Sequence, residues 1–229
     1  MSRKAPLIIL TVFMILISAC KAPLPELSPA DKAAADTLDI NREYLRELKA
    51  KPLYKFNEDN LDTYLPYLQY TVPTIHERMK HLARKNLGQP YEIYLLGEFP
   101  AEIYDSQPLY ILDKSDCVVF TEHILAMSMA SDWQSFFAIL QKIRYKDGVI
   151  GYTSRNHYGD FDWGPNNAWL ADNITNELAD EQVAVDTINV NKGRFFKRHG
   201  VPYTMPEDSL IWTYVPVEVM PSIMDKLKT

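Results

Sequence analysis

The 229-residue sequence predicts an α+β protein in which helices precede strands. Two segments with clear helical spacing, 74–87 and the one that begins at Cys117, come before the strand-like segments 183–190 and 209–215. Hydrophobic residues make up 47% of the chain and charged residues 24%, which excludes a wholly disordered protein and allows a sizeable core. The formal net charge of −6 argues against nucleic acid as a partner.

The helices are predicted from apolar spacing together with capping residues. Thr74 can cap the first strong helix, Glu77 completes a capping box, and Gly88 ends the helix. Asp116 stands directly before the second strong helix. The same spacing predicts further helices at 38–49, 61–70, 133–143 and 217–227.

Alternating or β-rich apolar segments predict five strands. They are 91–95, 109–112, 149–158, 183–190 and 209–215. Four of the eight glycines lie between residues 144 and 169, so we also expect a loop at 160–167.

The N-terminus has the pattern of a secretory signal peptide. A short basic start precedes an almost entirely apolar run, 7–17, and small residues stand before Cys20. The run is shorter than the roughly 20 residues that a transmembrane helix needs. Ser18-Ala19-Cys20 resembles the lipobox of bacterial lipoproteins, which implies that 1–19 is removed and that Cys20 carries lipid. An ordinary signal peptide and an uncleaved anchor are the alternatives.

A lipidated Cys20 would place the protein in the bacterial cell envelope, held on a membrane by its acyl chains. Lys21 after the cysteine resembles lipoproteins of the outer membrane, here on its periplasmic side. Cleavage removes two basic residues and no acidic ones, so the net charge falls from −6 to −8. The proline-containing segment 20–35 is predicted to be an extended tether, and 36–229 to be one domain.

Lipidation of Cys20 would leave the other cysteine, Cys117, without a disulfide partner. Such a cysteine is either a small buried hydrophobic residue or a catalytic thiol. Cys117 begins a predicted helix, where partial positive charge and free backbone N–H groups favour a thiolate and a developing oxyanion. The position therefore suits a nucleophile, which still needs a base.

Two separate motif blocks resemble the NlpC-type cell-wall peptidase superfamily of papain-like enzymes. A helix, the turn Leu87-Gly88-Gln89-Pro90-Tyr91 and an Asp116-Cys117 helix start occur in the order typical of that superfamily. The closer resemblance, from Ile75 to the C-terminus, is to the N-acetylmuramoyl-L-alanine amidase-like lipoprotein family. It is carried by Asp116, Cys117, Phe120 and Glu122 and by Arg144, Tyr145, Gly148, Tyr152, Arg155, His157, Tyr158, Asp162 and Trp163.

The resemblance implies a papain-like fold with a helical N-terminal part followed by an antiparallel sheet. It implies that Cys117 is the nucleophile of a cysteine amidase or peptidase. It further implies a substrate among peptidoglycan fragments (muropeptides), cleaved between the lactyl group of the sugar and L-alanine or within the stem peptide. We expect no cofactor and no metal.

The sequence departs from the family pattern at the general base. In the superfamily the base histidine lies on a strand after the cysteine helix, and in the closer family that strand follows an Ile-Pro-initiated helix and a Gly-Asp turn. The segment Val215-Pro216-Val217 and the helix after it resemble this lead-in, but no histidine follows. Either the chain is truncated at its C-terminus, with an incomplete sheet, or the protein lacks the usual base. The Val118-Val119 pair is a milder departure.

Within this chain His157 is the best candidate for the base. It falls on a predicted strand, and a base needs a partner that holds its other nitrogen. We expect that partner to be Asp162 or Asn167. The alternative is a substrate-binding or structural histidine. His199 is expected in a surface turn.

Several other residues are candidates for the site. Glu122 is expected to form a structural ion pair with a buried arginine such as Arg144 or Arg155. Arg155 can instead hold a substrate carboxylate with two hydrogen bonds, unless it pairs with Glu122 or Asp162. The remaining candidates for substrate binding are Tyr158, Asp162 and Trp163, and core packing is the alternative for the two aromatic residues.

Three functions follow from these observations. The first is a lipid-anchored cysteine amidase or peptidase acting on muropeptides. The second is a non-catalytic envelope lipoprotein that binds muropeptides with a degenerate site, which the missing late histidine favours. The third is a scaffolding lipoprotein in which Cys117 is buried.

Overall fold

The computed structural model describes residues 23–97, 102–180, 182–201 and 208–227, without the side chains of 208 and 209. The predicted signal peptide and Cys20 lie outside the described residues. The predicted α+β class, with most helices before the strands, is confirmed, and the described part is helix-rich with a small sheet. No helix within it is long and apolar enough to cross a membrane.

Ten helices and two strands make up the regular structure of the described residues. They are α1 (Pro29–Thr37), α2 (Arg42–Ala50), α3 (Glu58–Thr71), α4 (Ile75–Lys85), α5 (Cys117–Met129), α6 (Trp133–Arg144), α7 (Gly164–Asn166), α8 (Thr175–Leu178), β1 (Ala184–Val190), α9 (Lys192–Arg198), β2 (Asp208–Tyr214) and α10 (Met220–Lys226). Short 3₁₀ turns occur at Leu53–Lys55, Lys146–Gly148 and Val217–Val219, and a π-helical turn occurs at Gly159–Trp163.

Helix α1 occupies part of the segment 20–35, so the prediction of an extended tether is wrong from residue 29 onward. Ser28 forms a capping box with Asp31: its hydroxyl accepts the Asp31 N–H at 3.1 Å, and the Asp31 carboxylate accepts the Ser28 N–H at 2.9 Å. Pro29 is the first helical residue, where proline is well tolerated. Ala34 and Ala35 are fully buried. The prolines therefore mark a helix start rather than an extended chain.

Helices α1 to α6 enclose the main hydrophobic core. Fully buried aliphatic and aromatic residues from four of them, α2, α3, α4 and α6, pack together, each stabilising the fold by roughly 1.5–3 kcal/mol. They include Leu45, Leu48, Leu61, Leu65, Tyr64, Leu82, Phe136, Leu140 and Ile143. Proline usually kinks or ends a helix, but α3 continues through Pro66.

The predicted strands at 183–190 and 209–215 are confirmed as β1 and β2. They pair antiparallel, with Ala184 opposite Tyr214 and Val190 opposite Asp208. Val185 and Ile211 are exposed. The two strands form the whole of the sheet among the described residues.

The predicted strands at 91–95 and 109–112 are wrong. Tyr91 forms only an isolated bridge with Ser115. Tyr91, Ile93 and Tyr94 are exposed, whereas Leu95, Leu96 and Ile111 pack with Val119 of α5. The pattern of hydrophobic residues thus reflects burial on a helix and not strand pairing.

The predicted strand at 149–158 is also wrong. The chain there turns, and only Arg155 forms a bridge, with Tyr145. Two of its N–H groups, those of Ser154 and Arg155, bond the Gly151 carbonyl within the segment, and those of Tyr152 and Asn156 bond carbonyls elsewhere in the chain. The loop expected at 160–167 forms the π-helical turn and α7.

Candidate active site at the start of helix α5

The predicted helix start at Cys117 is confirmed. The Asp116 carboxylate caps α5 by accepting the Val119 N–H at 2.7 Å, and Val119 is buried against the preceding segment. The Cys117 side chain is exposed, which contradicts the hypothesis of a scaffolding protein with a buried thiol. Its backbone N–H belongs to the first helical turn, where no acceptor within the helix is available.

A cavity of about 380 Å³ lies beside this helix start. Asp116, Val118, Val119 and Glu122 form its wall on α5. The other walls come from distant parts of the chain, so the fold brings together Asp116 and His199, which are 83 positions apart in the sequence. These walls include Arg144, Tyr152, Arg155, Asn156, His157, Phe195 and His199.

His157 lines the cavity, and its hydrogen bonding fixes its tautomer. Its Nε2 lies 2.6 Å from the Tyr152 carbonyl oxygen. A carbonyl oxygen only accepts, so Nε2 carries the proton and Nδ1 carries the lone pair. Burial lowers the pKa of His157 to about 4, and the charge of Arg155 acts in the same direction. At neutral pH the imidazole is therefore uncharged, with Nδ1 able to accept a proton.

The partner of His157 differs from the one expected. The Tyr152 carbonyl holds Nε2, whereas neither Asp162 nor Asn167 bonds the ring. Asp162 accepts the Tyr158 N–H at 3.1 Å and pairs with Lys192 at 2.6 Å. Asn167 is buried and donates to the Ile143 carbonyl at 2.9 Å. A backbone carbonyl leaves no mark in the sequence pattern, so this contact could not be predicted.

His199 lies in the turn after α9, as expected, and it also lines the same cavity. The ring is partly buried, and its Nδ1 donates to the Phe195 carbonyl at 2.9 Å. Tyr152 and Phe195 each contact both imidazoles, with centroid distances between 4.6 and 5.9 Å. The histidine pair is the part of the site that the sequence missed.

Glu122 forms the buried ion pair expected for it, with Arg144. Their nearest atoms are 3.1 Å apart, and the two side chains are 4% and 5% exposed. The second Glu122 oxygen accepts the indole N–H of Trp163 at 3.0 Å. Burial raises the pKa of Glu122, against the opposing effects of Arg144 and Trp163. The Trp163 ring thus bonds α5 and packs against the main core.

Arg155 pairs with Asp105, and not with Glu122 or Asp162. The guanidinium lies 3.0 Å from the Asp105 carboxylate and stacks over the Tyr152 ring at 4.9 Å. Asp105 is itself buried and accepts the Tyr145 hydroxyl at 2.8 Å. Nothing in the local sequence around Asp105 indicates this role. Because Arg155 also lines the cavity, Asp105 positions a cation at its wall.

Of the other proposed substrate-binding residues, Tyr158 packs on Phe161 and Phe195. Tyr158, Asp162 and Trp163 are not among the side chains that line the cavity. Across the ranges that the structure covers, histidine, cysteine and carboxylate side chains nowhere gather in a group of three or more that could hold a metal.

The fold and this site define an α+β protein with an exposed thiol beside a cavity lined by two histidines, of which His157 is uncharged at neutral pH. The profile of the family described as AmiA-like, N-acetylmuramoyl-L-alanine amidase-like, matches residues 81–229. The chain belongs to this family. The match begins within α4 and includes every cavity residue named above.

The fold is similar to that of a solved protein from Legionella pneumophila str. Philadelphia 1, with a TM-score of 0.57, 22% identity, and coverage of 71% of this chain and 65% of that one. Two structures of an N-acetylmuramoyl-L-alanine amidase from Bacteroides uniformis ATCC 8492 also match. One has a TM-score of 0.44 and 26% identity, and the match covers 53% of this chain and 52% of that one. The other has a TM-score of 0.46 and 24% identity, and the match covers 67% of this chain and 59% of that one. This chain thus spans less than two thirds of each of these proteins. No curated protein matches it.

Proposed function

We propose that the protein is a cysteine amidase of papain-like architecture that hydrolyses an amide bond in peptidoglycan fragments, at N-acetylmuramoyl-L-alanine. The observation that carries the proposal is the exposed Cys117 at the start of α5, whose sequence neighbours Asp116 and Val118 line the same cavity as His157. Membership of the AmiA-like family supports an amide substrate of this kind.

In the proposed reaction, Nδ1 of His157 takes the thiol proton and Sγ of Cys117 attacks the lactyl carbonyl carbon. The N–H groups of the first turn of α5 stabilise the oxyanion. The C–N bond then breaks, the imidazolium returns the proton to the leaving amine of L-alanine, and a thioester remains. Water hydrolyses the thioester to the lactyl carboxylate and the free thiol. Arg155, fixed by Asp105, faces the substrate from the cavity wall.

The test uses an N-acetylmuramoyl-L-alanyl peptide and measures release of the L-alanine amine. Cys117→Ser is expected to reduce turnover by roughly 10³-fold or more while circular dichroism stays unchanged. Wild-type turnover in this variant would contradict the proposal.

The two histidines provide a matched comparison for the base. His157→Gln is expected to lower kcat by about 10²–10⁴-fold. His199→Gln replaces the other imidazole of the same cavity and is expected to leave kcat within tenfold. If only the His199 variant loses activity, His157 is not the base.

A non-catalytic muropeptide-binding protein is the second candidate function. It is favoured because the Cys117 thiol has no hydrogen-bond partner among the described residues, although such contacts can tighten only when substrate binds. This function predicts muropeptide binding that survives alkylation of Cys117 by iodoacetamide, with no amine released. Alkylation that abolishes a measured turnover would exclude it.

We further propose that the chain is a lipoprotein anchored through Cys20 on the periplasmic side of the outer membrane. The support is the basic, apolar and small-residue pattern of residues 1–20. Cys20→Ser is expected to prevent incorporation of radiolabelled palmitate and to release the protein from the membrane fraction. Full labelling of the variant would contradict the assignment.

A further inference from the structure

A second cavity, of about 420 Å³, lies between α2, α3 and α4. Most of its lining precedes the family-matched region, and none of its residues lines the first cavity. Tyr64 forms part of one wall. The cavity is lined by five basic side chains and by one carboxylate, that of Glu77. The basic side chains are Lys49, Lys80, His81, Arg84 and Lys85.

The positive charge of this cavity is only partly neutralised. Lys49 pairs with Asp31 at 2.6 Å, and Lys80 pairs with Glu77 at 2.8 Å. Arg84 and Lys85 form no ion pair with a carboxylate of the described residues. In a chain with a net charge of −6, two uncompensated cations therefore face one cavity.

Lys85 is held firmly in place. Its ammonium donates to the Leu48 carbonyl at 2.7 Å and the Lys49 carbonyl at 3.1 Å, at the C-terminal end of α2. It also lies 4.9 Å from the centre of the Tyr64 ring. Burial lowers the pKa of Lys85 to about 8, and repulsion by Lys49 acts in the same direction. An anion entering the cavity would relieve that repulsion and would meet a preplaced, partly desolvated donor.

His81 contributes a group that can respond to the anion. Its Nε2 lies 2.7 Å from the Tyr64 hydroxyl. Burial lowers the pKa of His81, and so do the charges of Lys85 and Lys49. A bound anion would oppose those charges, so the His81 pKa is expected to rise when the site is occupied.

We propose that this cavity binds a phosphomonoester dianion through Lys85, Arg84 and Lys80. Two uncompensated positive charges match a group that carries about −1.5 to −2 at neutral pH. The exposed guanidinium of Arg84 is suited to a bidentate contact with phosphate oxygens. The source of the group is a soluble phosphate or a phosphomonoester lipid headgroup, and the experiment separates them.

The first arm titrates inorganic phosphate into the full chain in a neutral detergent, followed by calorimetry and by NMR of the His81 ring. We expect one saturable site and a raised His81 pKa in the bound state. Arg84→Gln is expected to weaken binding at least tenfold. Lys146→Gln removes the same charge from an exposed lysine outside the cavity and is expected to change the dissociation constant less than twofold. Lys80→Gln is a second variant that keeps the α2 contacts of Lys85.

The second arm measures binding to phosphatidylcholine vesicles with and without phosphatidic acid. The site is assigned to the lipid headgroup if phosphatidic acid increases vesicle binding and Arg84→Gln abolishes this increase. Saturable phosphate binding without that gain assigns it to a soluble ligand. The proposal is overturned if neither probe binds, or if the Arg84 and Lys146 variants weaken binding equally. Amidase activity is not measured in either arm, so the result is independent of the proposed function.

Discussion

The ion pair of the candidate site and that of the second cavity differ greatly in exposure. Glu122 and Arg144 are almost fully enclosed, whereas Glu77 and Lys80, with a similar separation, are 58% and 60% exposed. Water screens the exposed pair, so its contribution to stability is small. Loss of one partner of an enclosed pair leaves a charge that water cannot reach.

Glu122→Gln is therefore expected to lower the free energy of unfolding by about 3 kcal/mol, since Arg144 loses its buried carboxylate. Glu77→Gln is the matched control and should leave the denaturation midpoint nearly unchanged. Urea unfolding of both variants measures the difference. Equal midpoints in the two variants would contradict this role for the buried pair.

In the proposed mechanism, the pH dependence of activity follows from His157 as the base. A general base must be unprotonated, and burial lowers the pKa of His157 to about 4. We therefore expect kcat/KM to hold down to about pH 5 and to fall as the pH passes through 4. An acidic limb centred near 6.5, the ordinary histidine value, would indicate a different base. Rates measured from pH 3.5 to 8 decide between them.

At the scale of the element, capping aspartates define the starts of both central helices. Asp116 caps α5, and Asp132 caps α6 through Ser135 at 2.6 Å. Both accept N–H groups that the helix leaves free. Only the first cap adjoins the thiol and the cavity.

Asp116→Ala and Asp132→Ala are each expected to reduce stability by about 1 kcal/mol. Asp116→Ala should also lower kcat by tenfold or more, because the first turn of α5 positions Cys117. The Asp132 variant is the control for the general effect of losing a cap and should keep its kcat. A similar loss of activity in both would show that the effect is one of stability alone.

At the scale of the whole molecule, one buried neutral histidine connects two parts of the fold. His123 of α5 donates to the Val119 carbonyl at 2.7 Å and accepts the Ile111 N–H at 3.3 Å, which ties the preceding segment to the helix. Burial lowers the pKa of His123 to about 3. Its protonation would remove the acceptor for Ile111.

Stability is consequently expected to fall on acidification. Below pH 6.5 His123 is protonated in the unfolded chain but stays unprotonated in the native protein. The stabilisation of the native state that results is fully present above pH 6.5 and is lost as the pH falls toward 3. Its size is on the order of 5 kcal/mol. His123→Gln should flatten the slope of unfolding free energy against pH between 7 and 4, even if it destabilises the protein at pH 7. His76→Gln, at an exposed position, should not; a slope unchanged in both variants would contradict the prediction.

The sequence by itself determined the helix start at Cys117, the main helices and the pair of late strands. These depend on local chemistry: a capping carboxylate before an apolar stripe, and alternation over seven residues. Local chemistry also explains the errors at 91–95 and 109–112, since apolar side chains that pack on α5 have the same pattern as a strand. The prediction fails at the helix 29–37 because prolines are typical both of an extended chain and of the first turn of a helix.

Only the tertiary structure decided which residues line the cavity beside the start of α5 and how they are held. The Tyr152 carbonyl that fixes the His157 tautomer, the pairing of Arg155 with Asp105, and the approach of His199 all join residues through space or through the backbone. A carbonyl oxygen is common to every residue type, and a contact across 50 residues has no periodicity. Such contacts arise from how α5, α6 and the C-terminal segments pack, so no pattern within one segment can encode them.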